Sequence, residues 1–168
     1  MLFDRQKRLL ALVDALSGKV GNLDFQKLLF LYCQEVEDNP AYEFVPYRFG
    51  GFSFTSYADK RRLIERGLLA DEDHAWTLTA AGRAAAVVAA PVRLGMEQFA
   101  RRHAQLRGDA LVTEAYRRHP YYAIRSEMAE RLLTGDAVAL AAIAEARPAV
   151  GRPGLCTIGY EGRSLESY

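Results

Sequence analysis

The sequence predicts a mainly α chain with a small β-wing, and three observations carry that expectation. Three segments with helical apolar spacing open the chain, a compact two-stranded hairpin follows them, and short arginine-rich helical segments fill the second half. Helix, helix, helix and wing is the order of a winged helix-turn-helix. The reading places that unit over residues 1–88, a helical extension over 89–147, and a linker with a first strand and turn over 148–168.

The elements follow in order. Residues 4–17 place Leu9, Leu12, Val13 and Leu16 on one helical face, and Gly18 ends the run. A second helix is expected over 23–36, with Asp24 as its N-cap and a broad apolar set, Leu28, Leu29, Leu31 and Tyr32, that implies burial on most sides. Asp38-Asn39-Pro40 stops it. The stretch YEFVPYRFGGFSF alternates aromatics through Tyr42, Phe44, Tyr47 and Phe49, and reads as a short strand with a turn at Gly50-Gly51. Ser53 caps a third helix, and Gly67 is a natural residue to follow its end. Leu68-Leu69, the polar turn ADEDHA and Trp76–Thr79 make the wing; Thr79 caps a further helix halted near Pro91. Beyond it, 92–118 reads as one long helix or two shorter ones broken at Arg107-Gly108, ended by His119-Pro120. Short helices are expected over 124–133 and 137–146, and ARPAVGRPG reads as a linker before the strand LCTI.

Composition narrows the function. The 168 residues carry Lys+Arg 22 against Asp+Glu 21, a net charge of +1, which excludes a uniformly basic nucleic-acid coat. Cys33 and Cys156 have neither zinc nor disulfide-framework spacing, and no other metal or cofactor motif is visible. The glycines of GYEGRS lack the Lys-Ser/Thr of a phosphate loop. The start is charged from residue 4 and no apolar run approaches the length of a membrane span, so a cytoplasmic protein is expected. No complete catalytic constellation appears, and none of His74, His103 and His119 has a partner at ligand spacing.

On the third helix, a turn of about 100° per residue puts Ser53, Ser56, Tyr57, Lys60, Leu63 and Ile64 on one arc. Thr55, Ala58, Asp59, Arg61, Arg62, Glu65 and Arg66 fall on the other, which is expected to be exposed. Arg61, Arg62 and Arg66 have the chemistry to meet phosphates or guanine edges, Thr55 a base, and Arg48 to extend the patch. Asp59 and Glu65 lower the charge of the same arc, so a solvated or protein-binding face explains it too. The Lys60 stem should pack on the core with its ammonium reaching water. The aromatic cluster reads as core filling ahead of a base-stacking platform. Leu94, Phe99, Leu106, Leu111, Val112 and Tyr116 offer enough apolar surface for a homodimer, and His103 should be exposed.

Two stretches resemble known families. Phe25-Gln26-Lys27-Leu28, Tyr47-Arg48-Phe49-Gly50, Phe52-Ser53, Gly67-Leu68-Leu69 and Leu78-Thr79 with Gly82 resemble the winged-helix domains related to the SocA antitoxin, the Panacea group, with Gly51 where that pattern has proline. The C-terminal CTIGYEGRSLESY resembles the opening strand and turn of DUF488 domains, most of which would lie beyond residue 168. The first resemblance implies an antitoxin-like protein-interaction module; the second implies an enzyme of unknown activity whose chemistry needs residues not in this sequence. The expectation is a winged-helix protein binding double-stranded DNA, as a regulator or a defence- or mobile-element-associated factor, with the interaction module as the alternative.

Overall fold

The computed structural model describes residues 1–72 and 74–149. It is mainly helical, with two small antiparallel sheets. Helix α1 (Asp4–Ala15) leads through strand β1 (Lys19–Gly21) to α2 (Asn22–Glu35). A hairpin, β2 (Val45–Tyr47) and β3 (Gly50–Phe52), precedes α3 (Phe54–Glu65). Then come β4 (Leu69–Glu72), β5 (Ala75–Leu78) and α4 (Ala80–Ala85). The second half holds α5 (Ala90–Arg102), α6 (Gly108–Arg118), a 3₁₀ turn (Pro120–Ala123), α7 (Ala129–Leu132) and α8 (Ala137–Glu145). Strand β5 lies between β1 and β4, pairing Val20 with Trp76 and Leu69 with Leu78. The sequence calls on 150–168, including the DUF488-like strand, Cys156 and the glycine turn, lie outside the described residues.

Helix α2 is the axis of the fold. Every residue from Phe25 to Cys33 is buried, so the broad apolar set becomes burial on all sides. Leu9, Leu10, Leu12 and Val13 of α1 share its core with Trp76, Met96, Phe99 and Leu111. The helices after residue 89 therefore complete the core of the first half. A smaller cluster, Val112, Tyr116, Ala123, Leu133 and Ile143, fastens α7 and α8 to the other side of α6.

Several boundaries differ from expectation for local reasons. Helix α2 starts at Asn22, and Asp24 is not its cap; that carboxylate accepts the backbone N–H of Gly108 at 2.7 Å, tying the start of α6 to α2. Pro91 opens α5 instead of halting α4, since a first-turn residue has no intrahelical N–H bond to lose. Within 124–133 only Ala129–Leu132 is α-helical. His103 is buried: it caps α5, with its ring 4.2 Å from that of Phe99 and Nδ1 3.0 Å from the Phe99 carbonyl. The Ser53 and Thr79 caps form as read, their hydroxyls accepting the N–H groups of Ser56 and Gly82.

The hairpin turns at Arg48-Phe49, two residues earlier than expected, and Gly50 and Gly51 open its return strand. Close packing demands both: a Cβ on Gly51 would stand 2.9 Å from the Phe30 ring, and one on Gly50, at φ +88°, 2.5 Å from Tyr116 Cε1. Gly82 is equally constrained, because its Cβ would overlap the Leu68 carbonyl where α4 crosses β4.

Asp59 departs furthest from the sequence reading. It was expected on the exposed arc, yet it is fully buried beneath the N-terminus of α1. Arg5 Nε donates to it at 2.7 Å, Gln6 Nε2 at 2.8 Å and the Tyr42 hydroxyl at 3.2 Å. Arg62, one turn further along α3, approaches only to 3.9 Å. Lys60 also differs: its ammonium reaches Asn22 Oδ1 at 2.8 Å and Asp71 at 2.9 Å, over the face of Trp76, in place of water. Replacing Asp59 by Ala strips three donors of one acceptor. The expected loss is about 3 kcal/mol, at the lower end for a broken buried pair because Arg5 can turn partly to solvent. Urea unfolding checks this, and a loss below about 1 kcal/mol would show that the carboxylate is dispensable.

Candidate partner-binding face

Helix α3 and the β2–β3 hairpin form one continuous surface, because the Ser53 cap fixes where the strand stops and the helix begins. The Gln26 side chain, buried in α2, holds that junction: its Oε1 accepts the Ser53 N–H and its Nε2 donates to the Ser56 hydroxyl at 2.7 Å. The aromatic stretch divides across the junction. Tyr42 and Phe44 enter the core as read, whereas Tyr47, Phe49, Phe54 and Tyr57 stay exposed, Phe54 to 60%. The rings of Tyr47, Phe54 and Tyr57 are linked through half-buried Phe52, at 5.2, 4.8 and 5.0 Å respectively. Core filling thus accounts for only part of the cluster.

The residues proposed for DNA lie around this surface without converging on one patch. Thr55 is exposed in the first turn of α3; Arg61, Arg62 and Arg66 are exposed toward its other end, about 9–16 Å along the axis. Arg66 donates to the Met1 carbonyl at 3.1 Å. Arg48 stands on the hairpin turn, 3.5 Å from Glu127, and belongs to the opposite border of the aromatic patch. The β4–β5 hairpin that follows α3 exposes Asp71, paired with Lys60, and Glu72.

Two hollows flank the exposed rings. One is a groove of about 730 Å³ between Val45, Pro46, Tyr47 and Phe54 on one side and Tyr121, Ile124, Arg125 and Arg147 on the other. The second, about 320 Å³, opens between α2 and the hairpin, and Leu23, Lys27, Tyr47, Phe52 and Tyr57 are among its walls. Lys27 is the residue that sequence reasoning missed as a site. It is 2% exposed, its ammonium donates to the Gly51 carbonyl at 2.9 Å, and no carboxylate among the described residues pairs with it. Burial alone pulls it down to about 8. The hint in the sequence was a lysine at the head of the apolar run Leu28–Cys33, within the stretch Phe25-Gln26-Lys27-Leu28.

Cys33 is buried and its thiol is pushed up to about 12, mainly by desolvation, which makes it inert. Trp76 is fully buried, as expected of the wing base. Among the described residues, no group of three His, Cys, Asp or Glu side chains is placed to hold a metal ion. Nor is any helix there long and apolar enough to cross a membrane. No protein-family profile, curated protein or solved structure matches the chain.

Lys27 makes stability depend on pH in a definite direction. Its folded value, about 8, lies below the unfolded 10.5, so the cost of burying the ammonium is fully present below pH 8 and fades as the pH rises. Cys33 acts the other way from its ordinary thiol range upward. A Lys27→Met variant isolates the lysine, since Cys33 cancels in the difference. The stability of this variant relative to wild type should fall by about 1 kcal/mol between pH 7 and pH 9. A pH-independent difference in urea unfolding would contradict a buried charged lysine.

Proposed function

We propose that the chain is a cytoplasmic winged-helix protein-interaction module, which captures an acidic polypeptide segment bearing aromatic or aliphatic side chains. The observation that carries this reading is the exposed set of rings Tyr47, Phe54 and Tyr57, connected through Phe52 and joined by exposed Phe49 on the hairpin turn, which a monomer has little reason to leave in water. Arg125 and Arg147 line the groove and Arg61 lies beside Phe54 and Tyr57, so the complementary partner is acidic around an apolar centre. The β1-β5-β4 strand order, with α3 immediately before the wing, supports the winged-helix assignment. The resemblance to the antitoxin-related group points the same way.

Binding of double-stranded DNA is the second reading, favoured by the exposure of Arg61, Arg62 and Arg66. Three features weigh against it. The N-terminal half of α3, which a recognition helix presents to base edges, is aromatic here. The wing that would approach phosphates exposes Asp71 and Glu72, and α1 covers the middle of the arc at Asp59. A homodimer through the second half has lost most of its support, since Phe99, Leu111, Val112 and Tyr116 are buried within the chain and Leu94 is left exposed. The DUF488-like enzyme reading rests on residues outside the described part.

Two measurements separate the readings. Selection of a random peptide library on the intact protein should return segments mixing Asp or Glu with Phe, Tyr, Trp or Leu. Their binding should weaken at least tenfold in a Phe54→Ser, Tyr57→Ser double variant, a loss of about 1.4 kcal/mol or more. A gel shift on random duplex should show no binding that falls steeply with salt. A steep slope that Arg61→Ala, Arg62→Ala and Arg66→Ala together flatten would move the chain to the DNA reading. Sedimentation at micromolar concentration should give the mass of one chain, 18.8 kDa.

A further inference from the structure

The pocket between α2 and the hairpin shares Tyr47, Phe49 and Tyr57 with the partner-binding face, but its polar groups play no part in that reading. Its walls are apolar and aromatic, from Leu23, Tyr47, Phe49, Phe52 and Tyr57, and its polar groups come from Asn22, Gln26 and Lys27. Most of these polar groups are already engaged. Asn22 Oδ1 accepts from Lys60, and both ends of the Gln26 amide are bound at the start of α3. Lys27 is different. Its ammonium has three donors, one of which reaches the Gly51 carbonyl, and no negative charge among the described residues is paired with it.

A buried cation held by a single neutral carbonyl is costly unless something else compensates it. The other buried charges of this protein have solved the same problem internally: Asp59 with Arg5, Lys60 with Asp71. Lys27 has not, and it lines a hollow whose volume suits a small ring compound. We propose that this pocket is a binding site for a small carboxylic acid with a flat apolar body, the carboxylate pairing with the Lys27 ammonium and the body lying among Tyr47, Phe52 and Tyr57. The inference rests on the cavity and its uncompensated cation, and stands whether or not the outer face binds a polypeptide. Lys27 also bridges α2 to β3 through Gly51, and a purely structural bridge would need neither the hollow nor a ligand.

The probes are phenylacetate and its uncharged counterpart phenylacetamide, added to the intact protein. Binding is followed by the fluorescence of Trp76, whose ring lies 6.1 Å from that of Tyr57, and by the ε-methylene NMR signals of 13C-labelled lysine. Phenylacetate should saturate and displace the Lys27 signal while those of Lys7, Lys19 and Lys60 stay in place, and phenylacetamide should bind at least tenfold more weakly. Lys27→Met should abolish the preference for the acid. If that variant does not fold, the comparison of the two probes on wild-type protein still decides the matter. Equal binding of acid and amide would overturn the proposal. So would movement of the other lysine signals alone, or no saturation by about 10 mM, the range of the weakest specific ligands. A failed peptide selection would leave this result untouched.

Discussion

The buried carboxylate of Asp59 is the constraint around which the first half is arranged. A charge without water must be met by donors, and three come from two separate parts of the chain: Arg5 and Gln6 on α1, and Tyr42 after α2. Their convergence fixes how α1 crosses α3, which in turn sets how much of α3 faces solvent. The Tyr42 hydroxyl completes the arrangement by also donating to the Arg5 carbonyl. Its own ionisation is driven upward by burial first and by the neighbouring carboxylate next, so it remains a donor throughout the physiological range.

This geometry explains how a helix with three arginines ends up presenting rings. The α1 terminus takes the middle of the arginine arc, and Arg66 is drawn toward Met1. What is left open is the border between α3 and the hairpin, where Phe54 and Tyr57 follow directly on the Ser53 cap. An exposed aromatic face and a buried acidic group are therefore two results of one packing decision. Lys27, between α2 and the hairpin, has no carboxylate partner among the described residues.

Much of the fold was legible because it depends on local chemistry. Ser53 and Thr79 cap helices through their own hydroxyls, Trp76–Leu78 alternates as a strand should, and the wing turn is polar. Arg107-Gly108 marked the α5–α6 break. Two of the failures share a cause, a partner that lies far along the chain. Asp24 looked like a cap because its bond to Gly108, 84 residues away, is invisible to spacing arguments. Asp59 looked exposed since helical periodicity cannot know that α1 will cover it. His103 differs: it is buried against Phe99, one turn back on the same helix, although arginines flank it in sequence. The aromatic cluster was only half understood, as periodicity ranks residues by polarity and cannot say which rings remain uncovered.

The two glycines of the hairpin have a mechanical consequence. With Gly51 pressed on Phe30 of α2 and Gly50 on Tyr116 of α6, the strand is held between two helices with no slack on either side. The Glu127 N–H adds a third attachment by donating to the Arg48 carbonyl. A segment clamped in this way moves only when its supports move. Any occupant of the face or pocket that displaced the hairpin would therefore shift α6, and through it the cluster that fastens α7 and α8. Such coupling is reciprocal: whatever repositions the C-terminal helices must change the affinity of the hairpin surface by the same factor.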